Sequence, residues 1–199
     1  MFLPEQYRKL KRGPQVMLPK DIGLVMAYSG VDKNSICVDA GAGSGWLAVS
    51  LARVCKEVTS YETREEFMKI AEGNARREGL ANLHIVNRDI RRGIKERDVD
   101  IVTLDMPGSN KVVGKAYKAL KPGGRIFGYL PHMEQVKDFV KELRKYGFSD
   151  ILVLESILRD MLVREEGMRP STKGVWHTGY LVFAQKSRLQ DSQIPERQR

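Results

Sequence analysis

The sequence predicts one α/β domain: a doubly wound, seven-stranded, mostly parallel sheet that ends in an antiparallel hairpin. Two features of the chain carry this. From residue 35 onward short apolar runs alternate with amphipathic segments, the pattern of βα units packed around a parallel sheet. Past residue 147 the pattern changes, and two apolar runs follow one another with no helical period between them, which pairs them antiparallel. The length of 199 residues suits a single domain that buries its own core without disulfide or metal staples.

Taken in order, residues 1–31 read as a helical or irregular lead-in broken by Pro4, Pro14 and Pro19. Residues 35–39 are a buried strand, 46–54 a helix and 57–61 a second strand. In the helix over 64–79, Phe67, Ile70, Ala71 and Asn74 share one face, and Gly79 is placed to stop it. Residues 83–87 and 100–104 are the third and fourth strands. A helix over 110–120 is broken by Pro122-Gly123-Gly124 ahead of a fifth strand at 125–130. The helix over 133–146 closes at Gly147, and strands at 151–158 and 178–184 flank a loop over 159–176. The domain spans 1–186, and the polar stretch 187–199, with Pro195 and no periodicity, reads as a disordered tail.

Composition narrows the function. A net charge of +9 favours polyanionic partners, nucleic acid first. No apolar run approaches the ~20 residues that span a bilayer, and residues 1–11 lack the apolar centre of a signal peptide, so the expectation is a cytoplasmic protein with no membrane contact. Cys37 and Cys55 are too few for a disulfide framework or zinc cluster and read as buried free thiols.

The strongest local signal is Val38-Asp-Ala-Gly-Ala-Gly-Ser-Gly-Trp46. Gly41, Gly43 and Gly45 let the chain turn tightly and bring backbone N–H groups toward a ligand at a helix N-terminus. The third glycine comes one residue too early for the Gly-x-Gly-x-x-Gly of hydride-transfer enzymes. Glu62 ends the second strand, where two carboxylate oxygens match a vicinal ribose diol. Asp89 follows the third strand and reads equally as a helix N-cap. Asp105-Met-Pro-Gly108 ends the fourth, at the carboxyl edge where open α/β sheets place their chemistry. There an Asp accepts hydrogen bonds from a base amine, and Pro107 stiffens the turn so that a carbonyl faces the same amine; a turn-capping Asp is the alternative.

In this order these pieces resemble class I S-adenosylmethionine-dependent methyltransferases, whose first motif is (V/L)(D/E)xGxGxG and whose sheet is Rossmann-like. Asp105 to Gly108 is similar to the (D/N/S)PP(Y/F/W) motif of amino-methyltransferases, with Gly108 in place of the stacking aromatic. Four further segments resemble the tRNA adenine-N1 methyltransferases: Gly13-Pro-Gln-Val-Met-Leu-Pro-Lys-Asp21, Tyr61-Glu-Thr-Arg-Glu65, Tyr129-Leu-Pro-His132 with Gln135-Val136, and Arg169-Pro170 with His177-Thr-Gly-Tyr-Leu181. The resemblance implies S-adenosyl-L-methionine held by Gln15, Leu18, Asp39, Gly41, Ala42, Gly43, Gly45, Glu62, Asp89 and Asp105, with no metal. It makes Asp105 the catalytic residue that holds the target base, and puts Pro107 and His177 beside the substrate.

Two departures bear on the substrate. The family carries an N-terminal β domain, and here twelve residues precede Gly13; its DLP(D/E/S)PW stretch here reads Asp105-Met-Pro-Gly-Ser-Asn110. The expected function is methylation of a base nitrogen in RNA, most like tRNA adenine-N1, with rRNA methylation at cytosine-N4 or an adenine amino group as the alternative. A precorrin-type methyltransferase and a non-catalytic RNA-binding module stand further off, and a homo-oligomer is left open. Basic clusters at Arg8, Lys9, Lys11 and Arg12, at Arg88, Arg91, Arg92, Lys95 and Arg97, and along Lys111 to Arg125 offer phosphate contacts, with Arg8 and Arg12 assigned to RNA. The spacing of Lys111, Lys115 and Lys118 fits a solvated helix face equally well. Tyr7, Tyr28, Trp46, Tyr129 and Trp176 are candidates to stack a base or simply to pack.

Overall fold

The computed structural model describes residues 3–13 and 15–188. In chain order the helices are α1 (Glu5–Arg8), α2 (Pro19–Ser29), α3 (Trp46–Ala52), α4 (Glu65–Arg77), α5 (Val113–Ala119) and α6 (Met133–Lys145). The strands are β1 (Ile36–Ala40), β2 (Glu57–Glu62), β3 (Leu83–Asn87), β4 (Val99–Leu104), β5 (Leu120–Leu130), β6 (Phe148–Glu155), β7 (Met161–Arg164), β8 (Gly167–Pro170) and β9 (Tyr180–Lys186). A parallel strand covered on both faces is mostly apolar and buried along its length, and β1 and β4, apart from Asp39, Asp100 and Thr103, follow this at the centre of a seven-stranded sheet ordered β3-β2-β1-β4-β5-β9-β6.

One face packs Val38, Leu104, Ile126 and Phe139 beneath α5 and α6, while the other packs Cys37, Leu51, Phe127 and Phe183 beneath α2 and α3. Alternate residues of β1 thus serve opposite cores. The two free thiols are buried as expected, with the Cys37 and Cys55 sulfurs 3.3 Å apart. Asn74 sits on the apolar face of α4 for a definable reason: it is fully buried and ties the lead-in to the glycine loop through Lys11 and the Ser44 carbonyl.

Four features depart from or refine the sequence expectation. The pair β6 and β9 forms and is antiparallel, but β9 inserts between β5 and β6 and runs against both. Leu181 to Ala184 are all buried whereas β6 is largely exposed, so the more apolar strand takes the interior position. The expected loop over 159–176 contains a separate hairpin, β7 with β8, turning at Glu165-Glu166 and carrying exposed Met161, Val163 and Met168. Pro122-Gly123-Gly124 does not precede the fifth strand but lies inside it, where the register against β4 jumps from Val99 with Leu120 to Ile101 with Arg125. The helix expected over 110–120 divides into a 3₁₀ turn at Ser109–Val112 and α5. Residues 189–199 of the expected tail lie outside the described residues. Among the described residues no helix is long and apolar enough to cross a membrane.

Candidate active site

The carboxyl ends of the parallel strands open onto a cleft of about 520 Å³ lined by Gln15, Glu62, Asp89, Asp105, Tyr129 and Gln135 among others. Of the residues singled out in the sequence, Gln15, Gly41, Glu62, Asp89, Asp105 and Pro107 line this one cleft. Its floor is the turn after β1. Gly41 has φ +89°, and a Cβ on it would lie 1.9 Å from the Asp105 carbonyl oxygen, so this position admits no side chain. Gly45 plays a packing role: a Cβ there would lie 3.1 Å from the Ala71 side chain of α4.

The expectation that the loop's N–H groups aim at a ligand needs correction. The amides of Gly41 and Ala42 donate to the Tyr61 carbonyl, that of Gly45 to Ala42, and that of Gly43 to Glu62 Oε2 at 2.9 Å. Of this stretch only Ala40 and Gly41 line the cleft, and the Gly41 amide is already spent on Tyr61. Ala42, Gly43 and Gly45 do not themselves line the cleft.

The four carboxylates have four environments. Asp39 is buried, and hydroxyls of Ser60 and Thr103, its register partners on β2 and β4, donate to its two oxygens. It does not line the cleft, so its sequence assignment to the cofactor is corrected: it fastens three central strands together. Burial pushes its carboxyl above the usual range. Glu62 Oε1 accepts from the Thr63 and Arg64 amides and Oε2 from Gly43, which fixes the side chain and leaves one acceptor site, on Oε2. Asp89 does both things its sequence position allowed, capping the turn Ile90–Arg92 and lining the cleft, with its carboxyl held low by Arg91. Asp105 is different: it has no hydrogen-bond partner among the described residues, and burial, with the charge of Asp39 behind it, pushes its carboxyl up to about 7.

Other assignments fall elsewhere. Leu18 does not line the cleft; its carbonyl accepts from the Asp21 and Ile22 amides at the start of α2. His177 sits at the rim, its ring between Glu155 Oε1 at 2.7 Å and the carbonyl of cleft residue Pro131 at 3.0 Å, and the Glu155 contact raises its pKa. Arg8 and Arg12 are exposed on the lead-in and do not line the cleft. Gln135 and Arg64, quoted only as members of resembling segments, and Arg88, offered only for phosphate contacts, line the cleft as well, a placement that sequence reasoning did not assign. It also missed that three of the quoted segments meet: Lys20 and Asp21 bond Thr178, and Asp21 Oδ2 accepts from the Tyr129 hydroxyl at 3.0 Å. The spacing of those segments gives no signal of this, because they are brought together by β9 entering the sheet interior.

Glu62→Ala is expected to weaken cofactor binding by ~1.5–3 kcal/mol, the scale of a hydrogen bond to a charged group. Titration calorimetry with S-adenosylmethionine checks this, and an unchanged affinity would remove Glu62 from the cofactor site.

Comparison with known proteins adds to this geometry. A family model described as tRNA methyltransferase complex GCD14 subunit matches residues 4–172. The chain is 37% identical over 207 residues to the tRNA (adenine(57)-N(1)/adenine(58)-N(1))-methyltransferase TrmI of Methanocaldococcus jannaschii, covering 89% of this chain and 73% of that protein. Among solved structures, a Thermotoga maritima protein described as a SAM-dependent O-methyltransferase aligns with TM-score 0.87 and 36% identity, covering 94% of this chain and 72% of that one. The tRNA (m1A58) methyltransferase TrmI of Aquifex aeolicus aligns with TM-score 0.84 and 28% identity, covering 89% and 72%.

Proposed function

The chain belongs to the GCD14 family of S-adenosylmethionine-dependent methyltransferases, and from that premise we propose that it methylates N1 of an adenine in tRNA. The residues present fit the cofactor: Gly41, where a Cβ would run into the Asp105 carbonyl, puts no side chain in the cleft, and Glu62 lines the cleft with an acceptor site left on Oε2 for a ribose hydroxyl. Asp89, at the third strand end, suits the amino group of the cofactor's adenine. When bound, the cofactor supplies a methyl group made electrophilic by its sulfonium.

The observation that carries the substrate reading is the unpartnered carboxylate of Asp105 in that cleft. Adenine N1 has a free lone pair, so no base is needed to activate it, and what the site must manage is the positive charge that builds on the ring as N1 is alkylated. Asp105 accepts a hydrogen bond from the exocyclic amine, onto which that charge spreads, so the contact strengthens toward the transition state. Pro107 borders the same space and limits how the base enters it. Incubation with labelled S-adenosylmethionine and total tRNA, followed by nucleoside analysis, is expected to yield 1-methyladenosine. Label recovered in 2′-O-methylated nucleosides or in cytosine would refute the reading.

The charge distribution supports an RNA partner. Arg88 and Arg91 border the cleft, and Arg8 and Arg12 are exposed on the lead-in. Binding is expected to weaken linearly in log–log terms as salt rises, because each neutralised phosphate releases counterions. Fluorescence titration of labelled tRNA across salt concentrations measures the slope, and Arg8→Ala with Arg12→Ala is expected to lower it. A salt-independent affinity would be the wrong result for this surface.

A further inference from the structure

Gln135 is the third residue of α6, immediately past the carboxyl end of β5, and its amide nitrogen is tied to the His132 carbonyl. A helix start holds its backbone, so the side chain projects from a fixed point into the cleft that Asp105, Pro107 and Tyr129 also line. Its Oε1 is buried and has no hydrogen-bond partner among the described residues. A buried acceptor left unmet is costly, which makes it a place where a ligand supplies the missing donor.

The rest of the lining narrows what that ligand atom is. Arg64 and Arg88 only donate, Glu62 and Asp105 as carboxylates only accept, and the Tyr129 hydroxyl already donates to Asp21. Gln15, the other carboxamide of the cleft, is solvent-exposed. Gln135 alone among these combines an orphan buried acceptor with a donor on the adjacent atom. That pair matches one edge of adenine: a carboxamide accepts from the N6 amine and donates to N7. The amine carries two hydrogens, one on the N1 side and one on the N7 side, so Asp105 and Gln135 have one each to receive.

Building on the reading that adenine N1 is the methyl acceptor, we propose that Gln135 is a specificity-determining residue that grips the N7 edge of the target adenine while Asp105 holds its N1 side. Guanine would turn its O6 acceptor toward two acceptors, and cytosine has no N7 to receive the Gln135 donor. Both are excluded by the same two side chains.

The test varies one substrate atom against one side chain. Wild type, Gln135→Ala and Gln135→Glu are compared in single-turnover methylation of tRNA carrying adenosine or 7-deazaadenosine at the methylated position. Calorimetry with S-adenosylmethionine and thermal unfolding run alongside. Wild type is expected to lose about tenfold or more on the 7-deaza substrate, the scale of one base-edge contact. Gln135→Ala and Gln135→Glu, which lack the donor, are expected to lose as much on adenosine and nothing further on 7-deazaadenosine, with cofactor affinity unchanged. A wild type indifferent to 7-deaza substitution overturns the inference and needs no variant to fold. A 7-deaza penalty that persists undiminished in Gln135→Glu, or a loss of S-adenosylmethionine affinity in Gln135→Ala, also overturns it, the latter by placing the amide on the cofactor. Absence of 1-methyladenosine from wild type on natural tRNA is a separate outcome, which fells the proposed function and this inference together.

Discussion

Asp105→Ala is expected to keep S-adenosylmethionine affinity near wild type and to cut single-turnover methylation by ~100-fold or more, the scale of a positioned polar stabiliser. The effect falls on the chemical step because the carboxylate's contact with the base amine gains strength only as charge develops. Asp105→Asn separates the two contributions. It keeps an acceptor oxygen in place but removes the charge, so the activity it retains measures orientation alone.

The raised carboxyl of Asp105 adds a pH signature. The accepting form is the carboxylate, and burial pushes its titration up to about 7. In wild type kcat/KM is therefore expected to fall as pH drops through that region, and Asp105→Asn to lack that limb. Stability runs the opposite way. A carboxyl raised above its unfolded value of ~3.9 binds a proton in the native state that the unfolded chain has lost, so its contribution is favourable at low pH and is lost as pH rises from about 4 through about 7. Asp105→Asn is accordingly expected to raise the unfolding temperature at pH 8 and to change it little at pH 4. Equal shifts at both pH values would deny that the half-buried Asp105 carboxylate is desolvated and unpaired.

Glu62, Gly41 and Asp105 were legible in the sequence because each sits at the end of a parallel strand, and in a doubly wound sheet the strand ends are where ligands go whatever else varies. Asp39 shows the limit of that logic. Its motif position is the same in sequence whether the side chain reaches the cleft or turns into the sheet, and what decides is the pair of hydroxyls in register on β2 and β4. The loop amides fail for a similar reason: a glycine pattern shows that the backbone comes close, not which acceptors it has already found. Sheet order at the C-terminal edge was beyond local pattern, since β6 and β9 pair antiparallel in either order and relative burial alone puts β9 inside. Gln135 could not be found from spacing at all, because its significance lies in an acceptor without a partner.

The buried cluster behind Tyr129 carries the largest expected effect on stability. Asp21 is completely buried, and its two oxygens accept from Lys20, Thr178 and Tyr129. The Lys20 ammonium is itself nearly buried and uses its three donors on Asp21, Thr178 and the Ser156 carbonyl. The cluster thus joins α2 to β5 and to the segments leaving β6 and entering β9. Asp21→Ala leaves that ammonium buried without its counter-charge, and urea unfolding is expected to show a loss of about 3–5 kcal/mol. Replacing both members, Lys20→Met with Asp21→Leu, removes the stranded charge and is expected to recover much of that loss, since apolar side chains of similar volume often serve a buried pair's space as well. The double variant is still expected to methylate poorly, because Tyr129 loses the acceptor that fixes its hydroxyl at the cleft wall. If Asp21→Ala unfolds within about 1 kcal/mol of wild type, the pair is solvated in practice, and Tyr129 is held by its ring packing against Phe127 and not by this cluster.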